Sequence, residues 1–512
     1  MNITDASSMQ RIFNACFLGL LAILPMSNTI ALRNLLLLVL VCLVLFFLCF
    51  RRGQLALPLG KAWKKVPSVV LVWVVFLFLF PLWAVQGSVA WENLAGQWVE
   101  SLLAGFVGAG AVLLLGQHGP SLWLLALASS FSLGLQLLLS LAALGGLLSA
   151  DFYADPNFAT VWGSFLQLKS AGVGPVWHWQ NFLTGFRGIE PMHGNLGYAA
   201  CQAIVLLSVC FLMAWRGQNK KIMFASGAIA GLCFLSILIA HSRGAILYGL
   251  LILAASALAY AWKMRVPLAI TSARSRTLRS LLSRSFIGVA LSVFVFIGLQ
   301  SVRHDERWFS MVDKVELGLL SDEPLRLLCE GISSESEARI REKFSHGDPA
   351  YAQVLLDGLK LQDGGRILLM RAGFDLALEN PRGFDGSRHS YRKLIEQKCG
   401  HVPALQFAHS HQGWIDLSLA LGWTGLLIFG LMMACFLCIG WRQMEDQVLS
   451  SWAMALFLIS GFWILRGFAD SVYREHYLQM QMLLLTYLYG RLVLASSTVE
   501  NLSTTLDQQT VR

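Results

Sequence analysis

Hydrophobic residues in this chain run in unbroken blocks separated by short polar turns. Such blocks differ from the stripes of an amphipathic soluble helix and from the alternation of a half-buried strand. They fall at 12–27, 34–50, 66–84, 101–116, 120–148, 193–215, 221–241, 244–262, 284–300, 413–440, 450–469 and 474–495. Most can cross a ~30 Å hydrocarbon layer at a rise of ~1.5 Å per residue. Lipid cannot satisfy unpaired backbone groups, so each block has to be a helix. A transmembrane β-barrel would show short alternating segments instead. The expected fold is therefore an all-α polytopic membrane protein with about twelve transmembrane helices. The first block follows Arg11 without a small-residue cleavage site and reads as a retained anchor.

Between these blocks the polar segments divide the chain into three parts. Residues 1–300 hold the first nine spans, with a smaller external loop near 149–192. Residues 301–412 form a large external loop. Residues 413–512 hold the last three spans and a tail. The large loop is not a linker, because 351–361 and 366–379 carry apolar side chains at helical spacing. Asp363, Gly364 and Gly365 mark the start of the second of these helices, and Asn380, Pro381 and Gly383 stop it. The loop reads as a helical lid on the external face of the bundle.

Composition and charge sharpen this picture. Of the 512 residues, 56% are hydrophobic and 13% charged, about half the charge expected of a soluble chain. Lys and Arg concentrate in alternate loops: Arg51, Arg52, Lys61, Lys64 and Lys65 in one, and Lys263, Arg265, Arg274, Arg276, Arg279 and Arg284 in another. The segment 85–100 has none. Positive loops stay in the cytoplasm, which puts both termini there and both long loops on the periplasmic side. The net charge of +9 is thus a topology signal that also suits anionic membrane lipids, and it is no nucleic-acid footprint. Within the large loop, 301–350 has 7 basic against 11 acidic residues, and 351–412 has 8 against 6. The membrane-proximal return is therefore its more cationic part.

Eight of the ten cysteines lie in predicted spans, and the CxxC pair Cys435 and Cys438 sits inside an apolar helix, where packing explains it. Cys329 and Cys399 are alone in the large loop, and an oxidising compartment would permit a bridge between them. His409 and His411 have no partners at metal-ligand spacing, so no metal site is expected.

Three residues stand out for chemistry. Arg243 occupies a tight external turn, His241–Ser242–Arg243–Gly244; it either anchors at the interface or binds an anion. Gly244 would let a bulky ligand approach the backbone. Arg366 begins a loop helix, where the macrodipole disfavours a cation, so it either pairs with Asp363 or holds an external anion. His411 opens the apolar block at 413 and either caps that helix or serves as a general base. Arg371, Arg187, His409 and Arg474 are secondary candidates.

His411 and Gln412, then nine residues, then Gly422–Trp423–Thr424–Gly425 resemble the H-[NSQ]-x9-G-x-x-G pattern of bacterial O-antigen ligases. These belong to a superfamily with O-antigen polymerases and protein O-oligosaccharyltransferases. Ser242–Arg243–Gly244 is similar to that superfamily's arginine motif. Gly365–Arg366 followed by Asn380–Pro381 and Gly383 through Gly386 is similar to its loop element. The spacing between those glycines is longer than the family's, which leaves Arg366 and Arg371 both open as the loop arginine. The resemblance implies a metal-independent, cofactor-free, inverting glycosyltransferase of the inner membrane, with its active site facing the periplasm. It implies an undecaprenyl-diphosphate-linked glycan as donor and a lipid A–core oligosaccharide as acceptor. His411 would be the base, and Arg243 and Arg366 would hold the diphosphate. A polymerase or protein-glycosylating relative would share the donor. A transporter or lipid flippase would instead place broken helices and ionisable groups near mid-membrane.

Overall fold

A computed structural model describes residues 3–26, 29–50, 55, 59–144, 193–239, 243–263, 311–320, 323–344, 349–360 and 365–510. Helices dominate these residues, and no strand occurs among them. Each predicted span overlaps a helix, apart from 284–300, which lies outside the described residues along with the loop at 149–192. Among the described residues, seven helices are long and apolar enough to cross a membrane: Ile30–Phe50, Gly87–His118, Gly197–Arg216, Lys220–Ile237, Gly244–Lys263, Gly413–Gln443 and Ser450–Gly467. Shorter apolar helices occur at Ser8–Ile23, Ser68–Leu82 and Leu122–Leu138. Their outward faces carry exposed Leu38, Phe50, Phe224, Leu258 and Trp262, which only a lipid solvent would tolerate in such number.

Small residues let the bundle pack closely. The helices Val99–Leu115 and Glu475–Thr510 form an extensive pair, in which a side chain at Gly108 would collide with Thr486 and with the backbone of Leu483. Because lipid is as apolar as leucine, close backbone approach and dispersion take the place of a hydrophobic drive between such helices. Trp73, Trp98, Trp463, Phe429 and Phe436 fill the centre and are almost fully buried.

Over this bundle sits the lid. Pro349–Lys360 and Arg366–Glu379 fall at the two predicted loop helices, and Met311–Leu320, Pro324–Glu330, Ser334–Phe344 and Ser390–Cys399 add to them. The lid has its own apolar core, with Leu328, Leu368, Leu369, Leu376, Phe384, Tyr391, Leu394 and Phe407. Ile415 and Leu419 from the first turns of Gly413–Gln443 belong to that same core, so lid and bundle share one apolar seam. Cys329 and Cys399 are joined as a disulfide with their Cα atoms 5.3 Å apart. The bridge ties Pro324–Glu330 to the end of Ser390–Cys399, and two backbone bonds, from Ala404 to Cys329 and from Leu405 to Leu328, run alongside it.

Gly413–Gln443 is a broken helix. Gly422 has φ 75° and ψ 176°, outside helical space. The turn around Gly383 fills the break: Phe384 N–H donates to the Leu419 carbonyl at 2.8 Å, and Gly386 N–H donates to Ala420 at 3.0 Å. Trp423 N–H returns to the Pro381 carbonyl at 3.0 Å. Carbonyls freed by the break are thereby satisfied, as a non-aqueous environment requires. A side chain at Gly422 would lie 2.6 Å from the Pro381 carbonyl oxygen, so both the backbone conformation and the space demand glycine. The other side of the turn binds the segment before Val99: Gln86 N–H donates to Phe384 O at 2.8 Å, and Asn93 and Trp98 side chains donate to Asp385 O and Gly386 O at 2.7 Å each. That segment contains a π-helical turn, with Gly96 in a non-helical conformation.

Two outcomes follow from this docking. Gly422→Ala should destabilise the protein by at least roughly 1–2 kcal/mol, the left-handed backbone penalty, and speed proteolysis of the lid, as limited digestion of membranes would show. Replacing both Cys329 and Cys399 by Ser should cost about 2–4 kcal/mol by the loop-closure argument, read as a lower thermal midpoint of the detergent-solubilised protein.

Candidate functional site

The site is built where the end of the lid meets the connection between Ser450–Gly467 and Glu475–Thr510. Ser410 organises the chain there: its N–H donates to Asp416 Oδ1 at 3.0 Å, its hydroxyl donates to Gln412 O at 3.0 Å, and its hydroxyl oxygen accepts from Gln412 N at 3.2 Å. Gln412 is the N-cap of Gly413–Gln443, its side chain accepting from Ile415 N–H. Asp416 also takes the Ser471 hydroxyl, which fastens this turn to the 468–474 connection. His411 is held between these bonds with φ 58°, a left-handed conformation that costs a non-glycine residue of order 1–3 kcal/mol. Its side chain is buried, with 7% of its surface exposed.

A carboxylate absent from the sequence expectations faces this imidazole. Asp470 Oδ1 lies 3.7 Å from His411 Nδ1, and that nitrogen is buried with no hydrogen-bond partner among the described residues. A small closure would bring the pair into bonding range, leaving Nε2 for a substrate. Burial opposes ionisation of Asp470, but the adjoining His411 ring and the charges of Arg466 and Arg366 outweigh it and hold its carboxyl well below the usual range. Asp470 is therefore an anion at neutral pH, able to fix the histidine tautomer and stabilise an imidazolium. Its remaining contacts are fixed: Tyr198 donates its hydroxyl to Oδ2, Arg466 Nη2 lies 3.3 Å away, and Ser471 N–H donates to Oδ1 at 2.8 Å. Arg466 is buried, with its guanidinium carbon 4.1 Å from the Tyr198 ring centre and 5.1 Å from that of Tyr248.

Arg466 also corrects the reading of Gly244. The room left by that glycine is filled by Arg466, whose Nη1 would stand 2.6 Å from a Cβ there. Gly244 thus serves internal packing of a cation, not approach of a ligand to the backbone. Arg243 heads the helix Arg243–Lys263, and its side chain lies outside those described. Asp363, the expected partner of Arg366, and Arg187 also lie outside the described residues.

The two loop arginines differ in surroundings. Arg366 is the first residue of its helix and is exposed, and its charge reaches Asp470. Arg371 turns the other way and donates from Nη1 to the carbonyls of Gly318 and Leu319 at 2.9 Å each, tethering one lid helix to another. His409 packs edge-on against His411 with ring centres 4.2 Å apart. Burial, then the charge of Arg474, pushes its pKa down to about 3, so it stays neutral and is a poor proton acceptor at pH 7. Arg474 donates Nε to the Ser471 carbonyl at 3.0 Å. Beside Gln412, a cleft of about 490 Å³ opens between the lid helix Arg366–Glu379 and Gly413–Gln443, lined by Arg371, Phe374, Asp375, Trp414 and Trp423 among others.

A buried imidazole backed by an ionised carboxylate, with an exposed arginine whose charge reaches that carboxylate, is suited to proton transfer beside a developing anion. Residues 228–430 match the family model described as O-antigen ligase. That stretch is where the similarity to O-antigen ligases lies. Together with the apolar helices, it supports a membrane protein related to the O-antigen ligase superfamily. No curated protein matches the chain. The matched region contains Arg243, Arg366, His411, Gly422 and Gly425, whereas Arg466, Asp470 and Arg474 lie beyond its end. The candidate site is therefore completed by a segment that the matched region does not reach. One signal was available in the sequence: Arg466 and Asp470 stand four residues apart at the end of a span, a spacing at which opposite charges meet.

Asp470→Asn should keep the hydrogen bonds of the connection but remove the charge behind His411. Turnover is expected to fall roughly 10²–10⁴-fold, by analogy with tautomer-fixing carboxylates, with little change in the KM for either substrate. Steady-state kinetics in detergent would check this, and an equal loss in KM would mark Asp470 as a substrate ligand instead.

Proposed function

We propose that the protein is an O-antigen ligase, which moves a glycan from undecaprenyl diphosphate to a hydroxyl of a lipid A–core oligosaccharide on the periplasmic face of the inner membrane. The observation that carries this reading is the His411–Asp470 pair set beside Arg366 at the lid–bundle seam. In the reaction, His411 accepts the acceptor hydroxyl's proton as that oxygen attacks the anomeric carbon. The bond from that carbon to the diphosphate oxygen breaks, and the electron pair leaves with the diphosphate. Attack opposite the leaving group inverts the centre. Arg366 and Arg243 stabilise the departing charge through bidentate hydrogen bonds, which are strongest where water is excluded. No metal is needed for this step, since guanidinium groups supply the positive charge. The membrane helices hold the polyprenyl chain, and the cleft beside Gln412 takes sugar against its aromatic faces.

His411→Ala tests the assignment. Glycan attachment to lipid A–core should fall about 10²–10⁴-fold, the usual worth of a positioned base, while solute flux through the same membranes stays unchanged. Undiminished attachment would remove His411 from the mechanism, and altered flux without attachment in the wild type would favour a transporter. Growth of free polymer, or glycan on protein, would move the reading to a polymerase or an oligosaccharyltransferase.

A further inference from the structure

We propose that Arg388 and Arg474, with the imidazoles of His409 and His476, form a second anion subsite that takes a phosphoryl group carried by the acceptor glycolipid; this rests on the ligase reading above. Four chain segments bring these groups together. Arg388 lies in the turn before Ser390–Cys399, Arg474 in the 468–474 connection, His476 at the head of Glu475–Thr510, and His409 beside the His411 turn. Among the described residues carboxylates are fewer than cations: Glu475 is shared by Arg388 and His476, the latter at 3.9 Å, and Glu100, which also takes Gln479 and Asn34, faces Arg33. Arg474 has its Nε on a backbone carbonyl, and among the described residues no carboxylate lies within ion-pair distance of its guanidinium. The nearest carboxyl groups of the catalytic turn are engaged already, Asp416 by Ser410 and Ser471, and Asp470 by Arg466 and Tyr198.

Buried donors and acceptors are also left open here. His409 Nδ1 and His476 Nε2 are shielded from solvent with no hydrogen-bond partner among the described residues, and so is Nε of Arg33, itself buried at the external end of its helix. The charges of Arg33, Arg474 and Arg388 all act on the His476 ring, and those of Arg388, Arg474, Lys393 and Arg392 act on His389. Cations held this close with so little compensation repel one another until an anion joins them. Arginine forks match the oxygens of a phosphomonoester, and unpaired imidazoles can add further bonds.

The position indicates whose phosphate it is. His411 has two contacts: Asp470, 3.7 Å from its Nδ1 and within the field of Arg366, and His409, packed edge-on with ring centres 4.2 Å apart and within the field of Arg474. In an inverting displacement the leaving diphosphate and the incoming hydroxyl lie on opposite faces of the anomeric carbon. An anion on the Arg366 flank belongs to the donor, so one on the His409 flank belongs to the acceptor. Arg33 at the membrane end of the cluster fits a phosphate attached to a lipid.

The test is binding to the full-length protein in phosphatidylcholine nanodiscs. Four probes are titrated: a bisphosphorylated diglucosamine glycolipid, the same lipid after phosphatase treatment, undecaprenyl diphosphate and phosphatidylglycerol. Arg474→Gln and Arg388→Gln should each weaken the phosphorylated glycolipid at least ~10-fold and leave its dephosphorylated form and undecaprenyl diphosphate unchanged. Arg474→Lys should restore part of the loss, while Arg366→Gln should affect undecaprenyl diphosphate alone. Equal losses on both glycolipids would reduce the cluster to a structural role. Weakened undecaprenyl diphosphate in R474Q would make it donor machinery, and phosphatidylglycerol binding as tightly as the glycolipid would make it a general headgroup site. Any of these, or no loss at all, overturns the proposal. If the wild type shows the expected binding pattern yet transfers no glycan, the subsite stands and the ligase reading falls.

Discussion

A helix broken at Gly422 exposes carbonyls that lipid cannot satisfy, and the turn from Gly383 to Gly386 satisfies them. The remainder of the external architecture depends on this exchange. The turn must lie against both the broken helix and the segment before Val99, because its backbone groups are divided between them. Once it does, the lid core closes over Ile415 and Leu419, and the first turns of Gly413–Gln443 become part of the lid. His411, two residues before that helix begins, is placed by the same docking. Gly422 thus acts on the placement of the histidine through backbone geometry.

Around His411 the structure spends stability on placement. A left-handed histidine, a buried arginine beneath an aspartate, and imidazole nitrogens without partners each oppose folding. They persist because Ser410, Gln412, Asp416 and Ser471 bind one another closely enough to leave the turn one conformation. Strain of this kind commonly gathers where preorganised groups have to meet a charged reactant. The two neighbouring histidines illustrate how environment divides roles. His411 faces a carboxylate, whereas His409 faces Arg474 and is kept neutral.

Arginines at the same membrane face are likewise sorted by their neighbours. Arg466 is sunk between two tyrosines and holds Asp470 in place. Arg371 is occupied by carbonyls of the lid. Arg366 stays exposed with its field reaching Asp470, and Arg474 holds the Ser471 carbonyl through Nε. One residue type therefore serves as scaffold, as tether and as an exposed charge, and charge counts along the chain cannot separate these uses.

Continuous apolar blocks of span length were enough to determine an all-helical membrane protein, since hydrocarbon leaves no backbone group unpaired and a barrel would need short alternating segments. Helical periodicity at 351–361 and 366–379, with breakers at Asn380–Pro381, likewise determined two lid helices, and His411 with its downstream glycines gave the candidate site. Only tertiary structure decided the rest. Asp470 lies 59 positions from His411 in sequence and 3.7 Å away in space, and Arg466 fills the gap at Gly244 across two helices. The bridge joins Cys329 to Cys399, 70 positions apart in the sequence. Local patterns record which solvent each segment meets, whereas partners distant along the chain are chosen by how helices pack, and no single segment encodes that choice.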